Sequence, residues 1–288
     1  MHRMYNSDMD KINFKEIYPK IYVYSNVFED VDKVLDYLKE TEDKTENTAF
    51  GPWRDWYGFG RHALFSMIED VKDDKEMYIV KSTFDAFKKV STHYIKNHNL
   101  PINEHETILN RNKEEVHLWQ YPSPGFAKYW KDSGADVDSN KAMNFHTDFD
   151  YSLLKNDGYK FCVTGVTYLN DNYDGGEIEF FVDGNLFKYK PQKGDIVIFP
   201  SGNPNFLTEN NEQYYHSAKV VKNGEKYLVR QYCMRYETVL DDWKKEWDDN
   251  IISLGMEGTL KFYRNQQSER MSNLNKKIEN SKVLIINE

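Results

Sequence analysis

Between residues 114 and 236 the chain is a succession of short segments rich in β-branched and aromatic residues, with turn-forming residues between them. The strand-like segments are EVHLWQY, YKFCVTGVTYLN, GEIEFFV, NLFKYK, DIVIFP, AKVVK and EKYLVRQYCMRY. The turn pairs are Asp157-Gly158, Gly175-Gly176, Asp183-Gly184, Gly194-Asp195 and Asn223-Gly224. Many short strands at close spacing predict an antiparallel sandwich or barrel. We therefore expect a mainly β core.

Helical patterns lie on both sides of this β region. KIYVYSNVF (20–28) predicts a strand, and EDVDKVLDYLKETED (29–43) predicts a helix with one apolar face. Residues 73–98 place apolar side chains at helical spacing and predict a second helix. Residues 45–70, rich in aromatics and glycine, are typical of a loop region. The pattern favours a mainly β fold with flanking helices.

The organisation along the chain favours one domain over residues 1–288, because neither an internal repeat nor a linker-like segment interrupts it. We expect residues 12–113 to support a catalytic core formed by residues 114–236. Residues 237–288 are charged and helix-favouring, which predicts a C-terminal helical extension. A chain of this length can bury a substantial core.

The charge balance limits the possible partners. With a formal net charge of −9, a general nucleic-acid binder is disfavoured, because phosphate contacts need a concentrated basic surface. The sequence also contains no apolar run of the roughly 20 residues that crosses a bilayer, and its start does not resemble a signal peptide. Only Cys162 and Cys233 are present. We therefore expect a cytoplasmic protein, monomeric or homodimeric, without a nucleic-acid or membrane partner.

The segment NFHTDFD (144–150) carries a histidine and an aspartate two residues apart. On a strand, residues i and i+2 point to the same side, so His146 and Asp148 can converge on one cation. The pair alone is weak, because a chain with eight histidines and 47 acidic residues contains about one such pair by chance. An ordinary strand end with a histidine remains open at this point.

Residues further along the chain strengthen the metal interpretation. His216 is the one histidine that follows Asp148 in the sequence. Two histidines and a carboxylate on one face of an ion are the arrangement of non-haem Fe(II) oxygenases. Ten residues later, Lys226 opens a strand behind an Asn-Gly turn, where an ammonium group suits the far carboxylate of an iron-chelating dicarboxylate.

Six ordered motifs carry a resemblance to a known family over about residues 117–236. They are HTD (146–148), YLN (168–170), GGE (175–177) with Phe180, Gly194-Asp195 with Phe199, His216, and Gly224-Glu225-Lys226. This order resembles the prolyl-4-hydroxylase-like branch of the Fe(II)/2-oxoglutarate-dependent dioxygenases. The resemblance implies a double-stranded β-helix, or jelly-roll, that holds iron at one mouth.

The resemblance also implies roles for individual residues. His146, Asp148 and His216 match the catalytic Fe(II) ligands, and Lys226 and Tyr168 match the residues that hold the C5 carboxylate of 2-oxoglutarate. The implied cofactors are Fe(II), 2-oxoglutarate as cosubstrate and O₂, with ascorbate as a possible addition. Side chains at every second position of a strand lie on one face, so Tyr168 shares its face with Cys162, Thr164 and Val166. All four are expected inside the barrel.

One tyrosine and one segment depart from the family pattern. Tyr121, in YPSPG, resembles a cofactor-binding tyrosine that precedes the iron strand. In the family this motif lies close to the His-x-Asp, whereas a long segment separates Gly125 from His146 here. We expect that segment, residues 125–145, to be an insertion that forms a lid or loop at the mouth of the site.

The expected reaction is hydroxylation of an unactivated C–H bond, of a prolyl residue in a peptide or protein. Hydroxylation of a free amino acid or other small molecule, and a non-catalytic jelly-roll binding module, are the alternatives. Arg230 shares the parity of Lys226 on its strand and is expected to point inward, toward a substrate or an acidic side chain. Trp243 and Trp247 are expected to pack a helix on the outer sheet.

Overall fold

The computed structural model describes residues 12–42, 54–55, 61–64, 71, 73–103, 105–133, 140–149, 157–203, 206–207, 214–238 and 241–285. In these ranges the strands are, in chain order, β1 (Phe14–Tyr18), β2 (Ile21–Tyr24), β3 (Arg54–Asp55), β4 (Arg61–Leu64), β5 (Thr107–Leu109), β6 (Glu115–His117), β7 (Trp119–Gln120), β8 (Gly125–Trp130), β9 (Lys141–His146), β10 (Gly158–Tyr168), β11 (Asp174–Gly175), β12 (Ile178–Val182), β13 (Asn185–Tyr189), β14 (Ile196–Pro200), β15 (Tyr215–Lys219), β16 (Val221–Asn223), β17 (Glu225–Glu237) and β18 (Lys282–Ile285). The helices are α1 (Val31–Thr41), α2 (Asp74–Asn97) and α3 (Asp241–Glu279).

Two mainly antiparallel sheets form the body of the fold. The larger sheet has the order β1-β2-β14-β10-β17-β8-β4-β3, with β7 also paired to β17. The smaller sheet has the order β18-β13-β12-β15-β9. Because neighbours in the sheets are distant in the sequence, the chain crosses repeatedly between the two layers. This arrangement is a double-stranded β-helix, and the expectation of a mainly β jelly-roll with flanking helices is confirmed.

The inner faces of the two sheets enclose one apolar core. Val166 and Tyr168 from the larger sheet meet Phe180 and Phe187 from the smaller sheet in this cluster. Phe180 lies with its ring centroid 5.3 Å from Phe187 and 4.9 Å from Phe199. Alternating strand residues supply this core, as the two-residue period of a strand requires.

Helices α1 and α2 cover the outer face of the larger sheet. Asp73 accepts a hydrogen bond from the Glu76 backbone N–H and so caps α2, which runs as the sequence predicts. Gly165 of β10 lies under this helix: an added Cβ would stand 2.2 Å from the ring of Phe87. A glycine is therefore required where the helix packs closely on the strand.

Helix α3 covers the outer face of the smaller sheet with its C-terminal part. Leu274 packs there in a cluster with Phe145 and Phe181. Gly255, with φ 69° and ψ 170°, interrupts the helix, and the two halves fold back so that Trp247 stacks on Tyr263 at 5.4 Å. Trp247 thus contacts the helix itself, where packing on the sheet was expected. The side chain of Trp243 lies outside the described residues.

The segment between Gly125 and His146 is not the expected lid. Its two ends are strands β8 and β9, which belong to opposite sheets and pair with β17 and β15 respectively. The insertion is therefore confined to the connection between them, of which residues 134–139 lie outside the described ranges. Most of the predicted loop region 45–70 also lies outside them, apart from β3 and β4.

The expected inward orientation of Cys162 is wrong. A β-bulge between Phe161 and Val163 shifts the register of β10 against β17. As a result Cys162 packs in the outer cluster that includes Cys233 and residues of α2, whereas Thr164, Val166 and Tyr168 keep the inward face. Among the described helices, none combines the length and the apolar character needed to cross a membrane.

Candidate active site

Three side chains from two neighbouring strands meet at one end of the space between the sheets. His146 ends β9 and lies directly opposite His216 of β15, while Asp148 follows β9 by two residues. Asp148 Oδ1 is 3.7 Å from His146 Nε2, and Asp148 Oδ2 is 3.5 Å from His216 Nε2. One potential ligand atom from each residue lies within 4.8 Å of the others.

Backbone carbonyls fix which nitrogen of each imidazole faces this point. His146 Nδ1 lies 2.8 Å from the carbonyl oxygen of Asn144, and His216 Nδ1 lies 3.3 Å from that of Tyr214. A carbonyl oxygen only accepts hydrogen bonds, so each Nδ1 must carry the proton. In both residues Nε2 is therefore the nitrogen that faces Asp148 and is placed to act as a metal ligand.

Burial keeps the inner histidine in its neutral, ligand-competent form. His216 is 7 % exposed. Burial, together with the neighbouring His146, lowers the pKa of His216 to about 4, although Asp148 opposes the shift. The rings of the two histidines lie 4.3 Å apart, and Phe199 packs 4.7 Å from His216.

The carboxylate of Asp148 is held by hydroxyl groups. Thr164 Oγ1 donates to Asp148 Oδ2 at 2.8 Å, and the Tyr232 hydroxyl lies 3.5 Å from Oδ1. Burial alone would raise the pKa of Asp148, but the neighbouring His216 and His146, the Thr164 hydrogen bond and Arg230 bring that pKa below its usual range. The carboxylate is therefore ionised at neutral pH.

These residues fit a divalent transition metal. Two Nε2 lone pairs and a carboxylate oxygen that face one another repel unless a cation lies between them. Ligands at right angles around one ion, each about 2.1 Å from it, are about 3.0 Å apart, so the two carboxylate-to-imidazole separations of 3.5 and 3.7 Å need only a small contraction. Two histidines and one carboxylate, with other positions open, are typical of Fe(II) sites. Among the described residues, this is the group of His, Cys, Asp and Glu side chains that converges closely enough to hold an ion.

A buried ammonium group lies in the same cavity. Lys226, at the start of β17, is 1 % exposed, and its Nζ donates to the carbonyl oxygen of Gly176 at 2.6 Å. Burial, reinforced by the charge of Lys190, lowers the pKa of Lys226 to about 7, against the opposing charge of Glu177. A buried cation of this kind is tolerated where an anion can pair with it.

Aromatic rings surround this ammonium group. Lys226 Nζ lies 5.7 Å, 5.2 Å and 5.9 Å from the ring centroids of Tyr129, Tyr168 and Tyr173. Tyr168 was expected here, and the structure places it beside Lys226. Gly176 also has to be a glycine, because its φ is 68° and a Cβ would approach the Tyr173 ring to 2.8 Å.

Tyr121 lies outside the cavity, contrary to expectation. Strand β7 pairs with the far end of β17, so Tyr121 leaves the sheet on its outer side and faces α2. Its hydroxyl lies 3.5 Å from Ser91 Oγ and 3.4 Å from Thr92 Oγ1. Tyr129 of β8 lines the cavity instead. The alternation of side chains in GFAKYW could have predicted that Tyr129 points inward. It was not used, because that segment was interpreted as part of an insertion.

One cavity joins the two groups of residues. Its wall includes His146, Asp148, His216 and Lys226. Arg230 also lies on this wall. It is on the same face of β17 as Lys226 and Leu228, as the sequence predicts. Apolar side chains such as Val166, Ile178 and Leu228 complete the lining. The arrangement can hold an ion at one end and an anionic group at the other.

Comparison with known proteins finds a family model that matches part of the chain. The sequence of residues 129–234 matches the model of the 2OG-Fe(II) oxygenase superfamily. No curated protein matches the sequence of this chain.

Several solved structures are similar in fold. A viral collagen prolyl hydroxylase from Paramecium Bursaria Chlorella virus-1, in complex with 2OG, is 14% identical, with a TM-score of 0.47 over 75% of this chain and 96% of that one. A prolyl-4-hydroxylase from Pseudomonas putida is 14% identical, with a TM-score of 0.46 over 80% and 96%. A prolyl hydroxylase from Trichoplax adhaerens, in complex with a hypoxia inducible factor peptide fragment, is 13% identical, with a TM-score of 0.44 over 78% and 86%.

The matched range contains each of the three converging side chains as well as the buried lysine. It begins at Tyr129 of the cavity wall and ends within β17. The match to the 2OG-Fe(II) oxygenase superfamily model thus covers the strands of the double-stranded β-helix that carry the candidate site.

Proposed function

We propose that this protein hydroxylates an unactivated C–H bond of a prolyl residue in a peptide or protein. His146, Asp148 and His216 would hold Fe(II), and Lys226 with Tyr168 would hold the C5 carboxylate of 2-oxoglutarate. The observation that carries the proposal is the convergence of three lone-pair donors within 4.8 Å in the cavity that also contains a buried ammonium group. The prolyl substrate rests on the six sequence motifs shared with the prolyl-4-hydroxylase-like branch.

When bound, Fe(II) and 2-oxoglutarate supply the oxidising chemistry: one O₂, one 2-oxoglutarate and one C–H bond give succinate, CO₂ and the hydroxylated product. The chain's own residues provide binding and orientation. Lys226 neutralises one carboxylate in a site from which water is largely excluded. Tyr129 and Tyr168 shield that ion pair, and Asp148 neutralises part of the charge of the metal.

Hydroxylation of a carboxylate-bearing small molecule, such as a free amino acid, is the second candidate. It is favoured by the position of Arg230, whose charge is close enough to affect the pKa values of Asp148, His216 and Tyr232. A guanidinium group on the cavity wall suits a substrate carboxylate. Arg230 lies on the same face of its strand as Lys226 and lines the cavity. We therefore propose that Arg230 binds the substrate.

Both candidates are tested by one screen. The Fe(II)-loaded protein is incubated with 2-oxoglutarate and with proline-rich peptides or free amino acids, and products are examined for a gain of one oxygen coupled to succinate release. Hydroxylated peptide supports the first candidate, and a hydroxylated amino acid supports the second. Absence of substrate-stimulated succinate release, together with no Fe(II)–2-oxoglutarate charge-transfer band under anaerobic conditions, would instead indicate a non-catalytic binding module.

The pKa of Lys226 predicts a specific pH dependence of cosubstrate binding. The cationic form binds the carboxylate, and because its pKa in the free protein is about 7, affinity is constant below pH 7. Above pH 7 the affinity for 2-oxoglutarate falls by about tenfold per pH unit, with uptake of one proton. Calorimetry of anaerobic Fe(II)-loaded protein, in buffers of different ionisation enthalpy, measures both quantities.

The matched control for this dependence is Lys226→Arg, because arginine keeps its charge throughout the range. Its affinity for 2-oxoglutarate should be independent of pH between 7 and 9. The same tenfold decrease per unit in Lys226→Arg would assign the titration to another group.

We also propose a reducing compartment such as the cytoplasm. The thiols of Cys162 and Cys233 are both buried and not joined in a disulfide, and an Fe(II) centre is maintained more easily under reducing conditions.

A further inference from the structure

The loop that follows β14 contacts the backbone of the His-x-Asp segment. The Ser201 carbonyl oxygen accepts a hydrogen bond from the Phe149 backbone N–H at 2.9 Å, and the Ser201 backbone N–H donates to the Cys162 carbonyl oxygen at 3.0 Å. Gly202 comes so close to Thr147 that an added Cβ would stand 3.2 Å from the Thr147 Cβ. The loop thus bridges β10 and the residues on both sides of Asp148.

A chain of two hydroxyl groups leads from this loop to the carboxylate. Ser201 Oγ lies 2.8 Å from Thr164 Oγ1, which in turn lies 2.8 Å from Asp148 Oδ2. Ser201 is 1 % exposed and Thr164 is 2 % exposed, so bulk water does not replace these contacts. Each hydroxyl carries one proton.

The chemistry of the acceptor fixes the direction of both hydrogen bonds. An ionised carboxylate only accepts, so the Thr164 proton is committed to Asp148. Thr164 must then accept the proton of Ser201. The chain runs in one direction, Ser201 to Thr164 to Asp148, and each bond polarises the next.

We propose that Ser201 and Thr164 are positioning residues that orient the Asp148 carboxylate toward the metal, an inference that rests on the proposed function. The Thr164 hydrogen bond occupies one lone pair of Oδ2 and prevents the carboxylate from rotating. The remaining lone pairs then point at the space shared with His146 and His216. Groups that hold a metal ligand in this way contribute to metal affinity without touching the metal.

Co(II), a spectroscopic substitute for Fe(II), tests this with the metal alone and without turnover. Co(II) is titrated into the full-length apoprotein and five variants, and its visible absorption band is measured. Thr164→Val, which replaces a hydroxyl with a methyl group of equal size, is expected to weaken Co(II) binding by about 10- to 100-fold. Thr164→Ser keeps the hydroxyl and should retain most of the affinity.

Ser201→Ala shows whether the two hydroxyls act as one chain. It should weaken Co(II) binding in the wild-type background and have no effect in Thr164→Val, since its contribution passes through Thr164. Thr167→Val is the control: Thr167 is buried on the same strand, and its hydroxyl lies 3.5 Å from Gln231, away from the cavity. Its Co(II) affinity should match the wild type.

Each outcome decides between the positioning role and a purely structural one. Wild-type Co(II) affinity in Thr164→Val, or equal effects of Ser201→Ala in both backgrounds, would overturn the proposed chain while leaving the metal site intact. Failure of the wild-type protein to bind Co(II) would overturn the metal site and the chain together. Loss of Co(II) affinity in Thr164→Val, together with near wild-type affinity in Thr164→Ser, supports the positioning role of the two hydroxyl groups.

Discussion

The variant His216→Ala is expected to retain less than about one hundredth of the wild-type 2-oxoglutarate turnover, because loss of even an outer partner of a metal ligand costs roughly 10- to 100-fold. In this variant Asp148 and His146 alone would hold the ion. The measurement is succinate release at saturating 2-oxoglutarate, alongside Fe(II) binding by the apoprotein.

The control for this variant is His117→Ala, which removes an exposed strand histidine outside the cavity. It should leave Fe(II) binding and turnover unchanged. His216 also packs against Phe199, so the thermal stability of the apo variant is compared with that of the wild type. Near-normal turnover in a folded His216→Ala protein would contradict the assignment of His216 as a ligand.

The second large effect is expected at the opposite end of the cavity. Lys226→Ala removes the proposed buried partner of the cosubstrate carboxylate, and breaking such a pair costs about 3–5 kcal/mol. The Kd for 2-oxoglutarate should therefore increase by roughly 100-fold or more. Metal binding should change little, because Lys226 is not among the converging ligand atoms. Equilibrium titration of Fe(II)-loaded protein under anaerobic conditions measures both.

Two matched variants define what the charge contributes. Lys226→Arg keeps a cation and should retain part of the affinity. Lys190→Gln removes a neighbouring lysine whose Nζ donates to the Tyr173 and Gly175 carbonyl oxygens. Because Lys190 lowers the pKa of Lys226, its removal should strengthen 2-oxoglutarate binding above pH 7. An unchanged Kd in Lys226→Ala would show that the carboxylate binds elsewhere.

The candidate metal ligands could be proposed from the sequence because their order along the chain resembles that of a known family. His146 and Asp148 are two residues apart at the end of a strand, and His216 and Lys226 follow in a fixed order. Strand parity also placed Tyr168 and Arg230 on the inner face. The inward orientation of Tyr168 and Arg230 depends on the alternation of side chains along one strand, which is visible in the sequence.

Other features depend on contacts between distant parts of the chain. The prediction that Cys162 points inward, made from the alternation of side chains, was wrong. A β-bulge in the pairing with β17 shifts the register there, and no feature of the local sequence marks this bulge. Tyr129 was missed in favour of Tyr121, since a strand was interpreted as part of a lid. The contact of Ser201 with Thr164 joins residues 37 positions apart, so only the folded structure shows it.

The most direct test of the metal centre is anomalous scattering from crystals grown anaerobically with Fe(II). We predict one iron peak within bonding distance of His146 Nε2, His216 Nε2 and an oxygen of Asp148. An iron peak at another position, or His216 rotated away from the other two side chains in the iron-loaded crystal, would contradict the account.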